Sequence, residues 1–534
     1  MNAETSAANT GHHWRGGRIS SWFFATDHKR VGMLWLAVGS LGLLLGGILA
    51  LVSALQTARP DADLIGQGTY ASVVTMQGTL LTYGGILPLA LGLAVVIAPL
   101  QLGARGLALP GLAAGALWLG VVGIGAVVLS SFAKGDAPRS SWASTPSVAL
   151  DPSRPGETAR LMGLFLIALA TLLTAIALVE TFRGSRAPGM TNEQLPLFAQ
   201  SVGIFATALL VLATISLLGT GLLLLDRKNP GSFDWYIDSG GSLVDGYEWV
   251  FGQAVVAIVA VPALGIAAEI VATFHRSPLI HRRLVTLALV AAAVLIALVP
   301  SADTVAANRL ASALALAALL PIAAAAGMLL VVGLGAARKS GAGTPLPFAL
   351  GSLVLLIGAT LASLVLVAAH DDVGETTFES ARLDLVWSAV LLALLGGAVY
   401  WWPKLTGRML DGRLTDVSAY VIAGSSLLLA IGRAIAGLND QPILAGETID
   451  GAGAGSLLGT LGVFGIGAGI LLFGLAKLRG RGGRRVDNDP WRADTLEWYT
   501  TSPPPPHNFD SLPPVTSARP LDDLRRKLRE LNAV

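Results

Sequence analysis

The stretch 26-TDHKRVGMLWLAVGSLGLLLGGILALVSALQ-56 decides the architecture. It opens with Asp27, His28, Lys29 and Arg30, then runs to Gln56 without another charged residue. A helix that crosses a bilayer needs about 20 mainly apolar residues. Basic residues at one end and none within are the charge pattern of a span whose basic end faces inward.

Working outward, the same pattern recurs along the chain. Twelve apolar runs of spanning length lie near 31–56, 76–100, 111–133, 160–182, 198–225, 250–274, 284–301, 306–335, 346–369, 384–402, 418–438 and 455–477. Many are rich in Gly and Ala, which lets helices approach closely in lipid. Of 534 residues, 53% are hydrophobic and only 13% charged, with a mean hydropathy of +0.66. A soluble domain carries about 25% charged residues. The expected fold class is therefore an all-α polytopic membrane bundle of about twelve helices.

Composition also excludes chemistry. With no cysteine there are no disulfides, thiolate metal sites, iron–sulfur clusters or c-type haem attachments. A net charge of +2 gives no basis for nucleic-acid binding. The polar start MNAETSAANTGHHWRGGRIS has no apolar core of a cleavable signal, so the first span is expected to direct insertion.

Lys and Arg sort the loops. Lys29, Arg30, Arg105, Arg183, Arg186, Arg276, Arg282, Arg283, Arg338, Lys339, Lys404, Arg408 and Arg413 fall on one side, with the basic run 479–485. Acidic loops such as 371-DDVGETTFES-380 and 439-NDQPILAGETID-450 fall on the other. Both termini are expected to be cytoplasmic in a bacterial plasma membrane. The expected division is a polar tail at 1–25, a membrane body at 26–478 and a basic, Pro-rich tail at 479–534. The end, 521-LDDLRRKLRELNAV-534, reads as a short exposed amphipathic helix.

Several stretches are more specific than generic membrane sequence: 26-TDHKRVGMLW-35, 99-PLQLGARGLALPGL-112, 186-RAPGMT-191, 226-DRKNPGSF-233, 401-WWPKLTGRML-410 and 490-PWRADTLEWYTTSPPPPHNF-509. Together, in this order, they resemble the catalytic subunit I of haem–copper oxidases of the cytochrome c oxidase type. The resemblance runs from about 26 to 509 and agrees with the helix count and orientation. It implies a respiratory membrane protein that works with subunits of the II and III types. It also implies two haems and one copper, held by six histidines on helices two, six, seven and ten. Imidazole suits iron and copper in such sites.

The chain has only seven histidines: His12, His13, His28, His275, His281, His370 and His507. None lies in the middle of an apolar run. Matched to the family, the second-helix haem ligand falls at Gln77 and the tenth-helix pair near Ala381 and Leu383. The copper ligands fall at Gln253 and near Pro300 and Ser301. The family's proton-relay glutamate falls at Val255, its cross-linked tyrosine at Ala257 and its proton-channel lysine near Ala325. The expectation is a degenerate site with no catalytic residue, no metal, no haem and no copper.

Gln77 and Gln253 are read as amides tying helices together. Glu269, in 265-GIAAEIV-271 near the inner end of its span, is an intramembrane acid, and a charge at depth is a functional hypothesis by default; a structural or snorkelling role is the plainer reading. The loop from His370, with its acids, offers oxygens to a hard cation but reads more simply as a solvated loop. Three functions stay open: a haem-free paralogue with a structural, assembly or regulatory role; a working oxidase with unusual ligands; and a transporter or proton conductor. Convergence of Gln77, Gln253 and Glu269 on one cavity would favour transport, and a packed core the first.

Overall fold

The computed structural model describes residues 20–59, 64–133, 155–229, 254–279, 281–298, 309–340, 344–369, 376–443 and 446–532. The long helices are α1 His28–Gln56, α2 Gln67–Gln101, α3 Pro110–Ser130, α4 Pro155–Gly184, α5 Leu197–Lys228 and α6 Val255–His275. They continue with α7 Arg282–Leu298, α8 Arg309–Ser340, α9 Leu346–Ala368, α10 Thr377–Thr406, α11 Gly412–Gly437 and α12 Gly453–Gly480. Among the described residues, eleven helices are long and apolar enough to cross a membrane, and α7, at 17 residues, is the shorter twelfth. The expected junction at 301–306 lies outside the described residues.

Polar residues mark the helix starts. Asp27 accepts from the Lys29 N–H at 3.1 Å, Thr376 from Phe378 at 3.3 Å and Asp411 from Leu414 at 3.1 Å. Each supplies an oxygen to a helix-start N–H that has no partner within the helix. Several helices begin before their apolar runs: α2 at Gln67 rather than 76, α4 at Pro155 rather than 160, α10 at Thr377 rather than 384. An apolar run marks hydrocarbon depth, while the backbone stays helical into the interface.

Neighbours in sequence pack side by side, and α6 lies at the centre, touching α2, α5, α7, α8, α9 and α10. Glycine lets α1 and α2 meet, since a Cβ on Gly42 would overlap the Gly84 carbonyl. The same holds between α11 and α12, where a Cβ on Gly455 would sit 2.6 Å from the Gly432 carbonyl oxygen. The apolar stretch of α2 is 94% buried and that of α6 83%, against 22% for α12. The core therefore centres on α2 and α6, two of the four helices where the resemblance places ligands.

The C-terminal tail folds back under one end of the bundle. Trp491, Leu496 and Trp498 are buried there, and the Trp491 indole donates to the Tyr400 carbonyl at 2.9 Å. The last helix forms as α13 Pro520–Leu531, but it is docked rather than free. Leu521 is buried, and Arg525 reaches Asp489 at 2.6 Å and Asp494 at 3.1 Å. The amphipathic pattern revealed the helix; the acids that receive its arginines lie about thirty residues upstream and carry no local signal.

Candidate functional site

A cavity of about 650 Å3 lies between α1, α2, α10, α11 and α12. Both Gln77 and Leu383 line it. The Gln77 side-chain oxygen accepts from the Ser53 hydroxyl at 2.6 Å, and that hydroxyl also lies 3.1 Å from the Ala50 carbonyl. Asp384 and Arg433 face the same space and pair at 2.8 Å. Leu44, Ile48 and Leu471, all exposed, line its apolar flank, so the cavity opens sideways toward the bilayer. Directly after Gln77, α2 widens into a π-helical stretch, Leu80–Ile86, a distortion often found at functional sites.

The donor set tests whether this cavity fits an iron-bound haem. Leu383 offers only carbon. Gln77 offers an amide oxygen already engaged by Ser53. Met76 is buried, but its sulfur lies 3.9 Å from the Ser130 hydroxyl on α3 and is not in the lining. Tyr70 does line the cavity, but two turns from Gln77, about 10 Å along the helix, packed beside Gly446. Haem iron takes His, Met, Cys or Tyr as axial ligand. No such group stands at the level of Gln77 and Leu383, so these residues do not fit axial ligation.

The other expected positions are placed apart from this cavity. Ala381 is buried outside its lining. Val255 and Ala325 are buried and Ala257 half-buried, among alkyl neighbours such as Ile258, Ala326 and Leu329. Gln253, Pro300 and Ser301 lie outside the described residues, as do His370 and most of its loop. Among the described residues no cluster of three or more His, Asp or Glu side chains could hold a metal ion.

Glu269 belongs to a second polar region at the tail-bearing end. Its carboxylate accepts from the Phe198 N–H at 3.3 Å and lies within electrostatic reach of Glu497. Glu497, fully buried on the tail, accepts from Gln101 at 2.9 Å and from the Trp401 indole at 3.2 Å. Burial pushes its carboxyl above the ordinary range, while those hydrogen bonds pull the other way. Lys404 donates to the Thr500 carbonyl at 2.7 Å and lies 5.3 Å over the Trp498 ring. Lys29 donates to Asn508 at 2.9 Å, and Asn508 donates to the Ala104 carbonyl at 2.8 Å. Gln77 and Glu269 thus serve different regions and do not converge.

Sequence reasoning missed Asp384, Ser53, Glu497 and the π-helical stretch. Asp384 had a signal, an acid at the head of an apolar run facing an arginine in the next span. Glu497 had none, because nothing in a hydrophilic tail marks one acid as buried.

A helical membrane bundle with its tail locked beneath it, and a cavity between its first, second and tenth to twelfth helices, is the class these features define. The family model for cytochrome c and quinol oxidase polypeptide I matches residues 30–452. The chain is 32% identical to the cytochrome c oxidase subunit 1 of Bacillus sp. (strain PS3), over 94% of this chain and 83% of that one. It is 31% identical to the subunit 1 of Bacillus subtilis (strain 168), covering 95% and 83%. It is also 31% identical to the heme-copper oxidase subunit I+III of Aeropyrum pernix, covering 93% and 62%. The chain belongs to the cytochrome c and quinol oxidase polypeptide I family.

Proposed function

We propose that this chain is a haem-free member of its family, with a structural, assembly or regulatory role in a respiratory terminal oxidase complex. The observation that carries this reading is the cavity between α1, α2, α10, α11 and α12. The residues at its expected ligand positions, Gln77 and Leu383, bring no axial donor to it. On this reading Gln77, Ala381 and Leu383 are former haem-ligand positions, and Gln253, Pro300 and Ser301 former copper-ligand positions. Val255, Ala257 and Ala325 are former proton-path and tyrosine positions. Glu269 is a structural polar group at the tail-bearing end of α6.

The separation of Gln77 from Glu269 and the alkyl packing around Val255 and Ala325 support a packed core over a transport path. The partners on this reading are subunits of the II and III types, consistent with a relative that carries a subunit III in one chain with its subunit I. The membrane is the bacterial plasma membrane, with both termini cytoplasmic and the body at 26–478 between tails 1–25 and 479–534.

The test is purification from the native host, a reduced pyridine haemochrome spectrum, copper quantification and identification of bound subunits. The expected result is haem and copper far below one per chain, with oxidase subunits retained. One haem per chain overturns the haem-free reading and restores a working oxidase with unusual ligands. Absence of any bound oxidase subunit overturns the complex role.

A further inference from the structure

A groove of about 1430 Å3 runs along α4, α5 and α7 from the tail-bearing end of the bundle. We propose that it holds one anionic glycerophospholipid, with its phosphate at Arg283, Arg183 and Arg282 and an acyl chain along Ile204, Val211, Val290 and Val294.

Charge sets the headgroup. Arg183, Arg186, Arg282 and Arg283 line the mouth against one acid, Glu193. Arg186 is committed to the Phe182 carbonyl at 2.7 Å and to Asn192 at 2.6 Å. Arg282 lines the mouth while donating one of its groups to the Leu195 carbonyl, and it also lies within electrostatic reach of Glu269 on α6, so it is partly committed. Arg183 pairs with Glu180 at 3.3 Å on an exposed surface, where water weakens such pairs and leaves the guanidinium exchangeable. Arg283 is exposed and has no partner among the described residues. A guanidinium fork matches phosphate oxygens, and basic recesses between membrane helices bind anionic headgroups.

Depth sets the rest of the ligand. Thr286 donates to the Gln200 side chain at 3.0 Å, a polar floor below the arginines. Beyond it the walls are apolar, and Val211, Leu287, Val290 and Val294 are exposed. Arg282 to Val294 spans about 18 Å along α7 at the helical rise. That is about one leaflet of a hydrocarbon core about 30 Å thick. An acyl chain anchored at the arginines lies along this described apolar stretch.

The test uses the full chain, delipidated in detergent and titrated in native mass spectrometry. The probes are phosphatidylglycerol, phosphatidylcholine with the same acyl chains, and glycerol 3-phosphate. The expected result is one phosphatidylglycerol per chain, with phosphatidylcholine weaker by about tenfold or more and glycerol 3-phosphate unable to compete. Arg283→Gln weakens phosphatidylglycerol about fivefold, the factor for one basic residue at an anionic surface. Val211→Trp fills the apolar half and weakens both lipids. Val211 is 53% exposed, so that variant keeps the wild-type unfolding midpoint in lipid-free detergent and stands as the second test should Arg283→Gln fail to fold. Equal binding of the two lipids, indifference to both variants, or a polypeptide crosslinked from position 211 overturns the proposal. Competition by glycerol 3-phosphate overturns it too, since the site then reads phosphate alone.

Discussion

Gln77→Leu separates a helix tether from a ligand. The substitution removes the 2.6 Å bond from Ser53 that joins α1 to α2. Side-chain hydrogen bonds between membrane helices contribute about 0.6 kcal/mol on average and up to about 2. Here the lower figure applies, because the Ser53 hydroxyl keeps the Ala50 carbonyl at 3.1 Å and is not orphaned. Leucine also nearly matches glutamine in length and removes an amide from an apolar cavity. The expected cost is therefore about 0.5–1 kcal/mol. Reversible unfolding in mixed detergent micelles measures it, and a cycle with Ser53→Ala should return a coupling of about 0.6 kcal/mol. A cost above about 3 kcal/mol would exceed any single tether of this kind. That result, or a Soret band present in wild type and lost in the variant, would refute the reasoning.

Glu497→Gln tests the buried acid of the tail. Its carboxyl is raised by burial, so the folded chain holds the proton more tightly than the unfolded chain. Stability from this group is therefore full below the unfolded value and declines as pH rises above it. The amide keeps an oxygen for Gln101 and Trp401, so the variant should gain thermal stability over wild type at pH 8 and lose that advantage near pH 4.5; a pH-independent difference contradicts this. Gly455→Val places a branched side chain where a Cβ already meets the Gly432 carbonyl oxygen at 2.6 Å. Overpacking of this kind costs about 1–3 kcal/mol, read in the same micellar unfolding assay, and a neutral outcome would mean that α11 and α12 are not in close contact. Arg525→Ala removes the pairs to Asp489 and Asp494. Partly exposed ion pairs contribute about 0–1 kcal/mol each, so global stability should hardly move while limited proteolysis at 520–531 accelerates severalfold; unchanged cleavage would place the docking of α13 elsewhere.

The membrane body was legible because hydropathy acts locally. Every described long helix coincides with an apolar run, and only the ends differ. What the sequence hid depends on distance along the chain. Asp384 and Arg433 read as isolated charges until α10 and α11 are side by side. The acid that locks the tail to the bundle, Glu497, finds Gln101 nearly four hundred residues away. The ligand positions came only from matching to the family, on two different helices; Gln77 and Leu383 line one cavity, which does not by itself test that matching. Ala381, two residues from Leu383, lies outside that lining, as helical geometry requires of near neighbours on different faces.

Five of the six stretches that carried the resemblance touch one another, the third through the Ala187 N–H to the Leu102 carbonyl of the second. Lys29 of the first motif bonds Asn508 of the last. Gln101 of the second bonds Glu497 of the last. Trp401 and Lys404 of the fifth bond Glu497 and Thr500 of the last. Met190 and Leu195, at and after the third, are buried, and Gln194 beside them donates to Thr516 at 3.3 Å. These residues form one interlocked network at the tail-bearing end, and a change in any of its buried polar members, Lys29, Gln101, Lys404, Glu497 or Asn508, leaves a buried polar partner unpaired, at about 1–3 kcal/mol. The cavity around Gln77 and Leu383 holds fewer such constraints, the Ser53–Gln77 bond and the Asp384–Arg433 pair, since its walls are largely apolar and it opens to lipid. A sequence can therefore keep every recognisable motif while the residues in the cavity change. Membership of the family follows from the network; the chemistry has to be argued from the donors in the cavity.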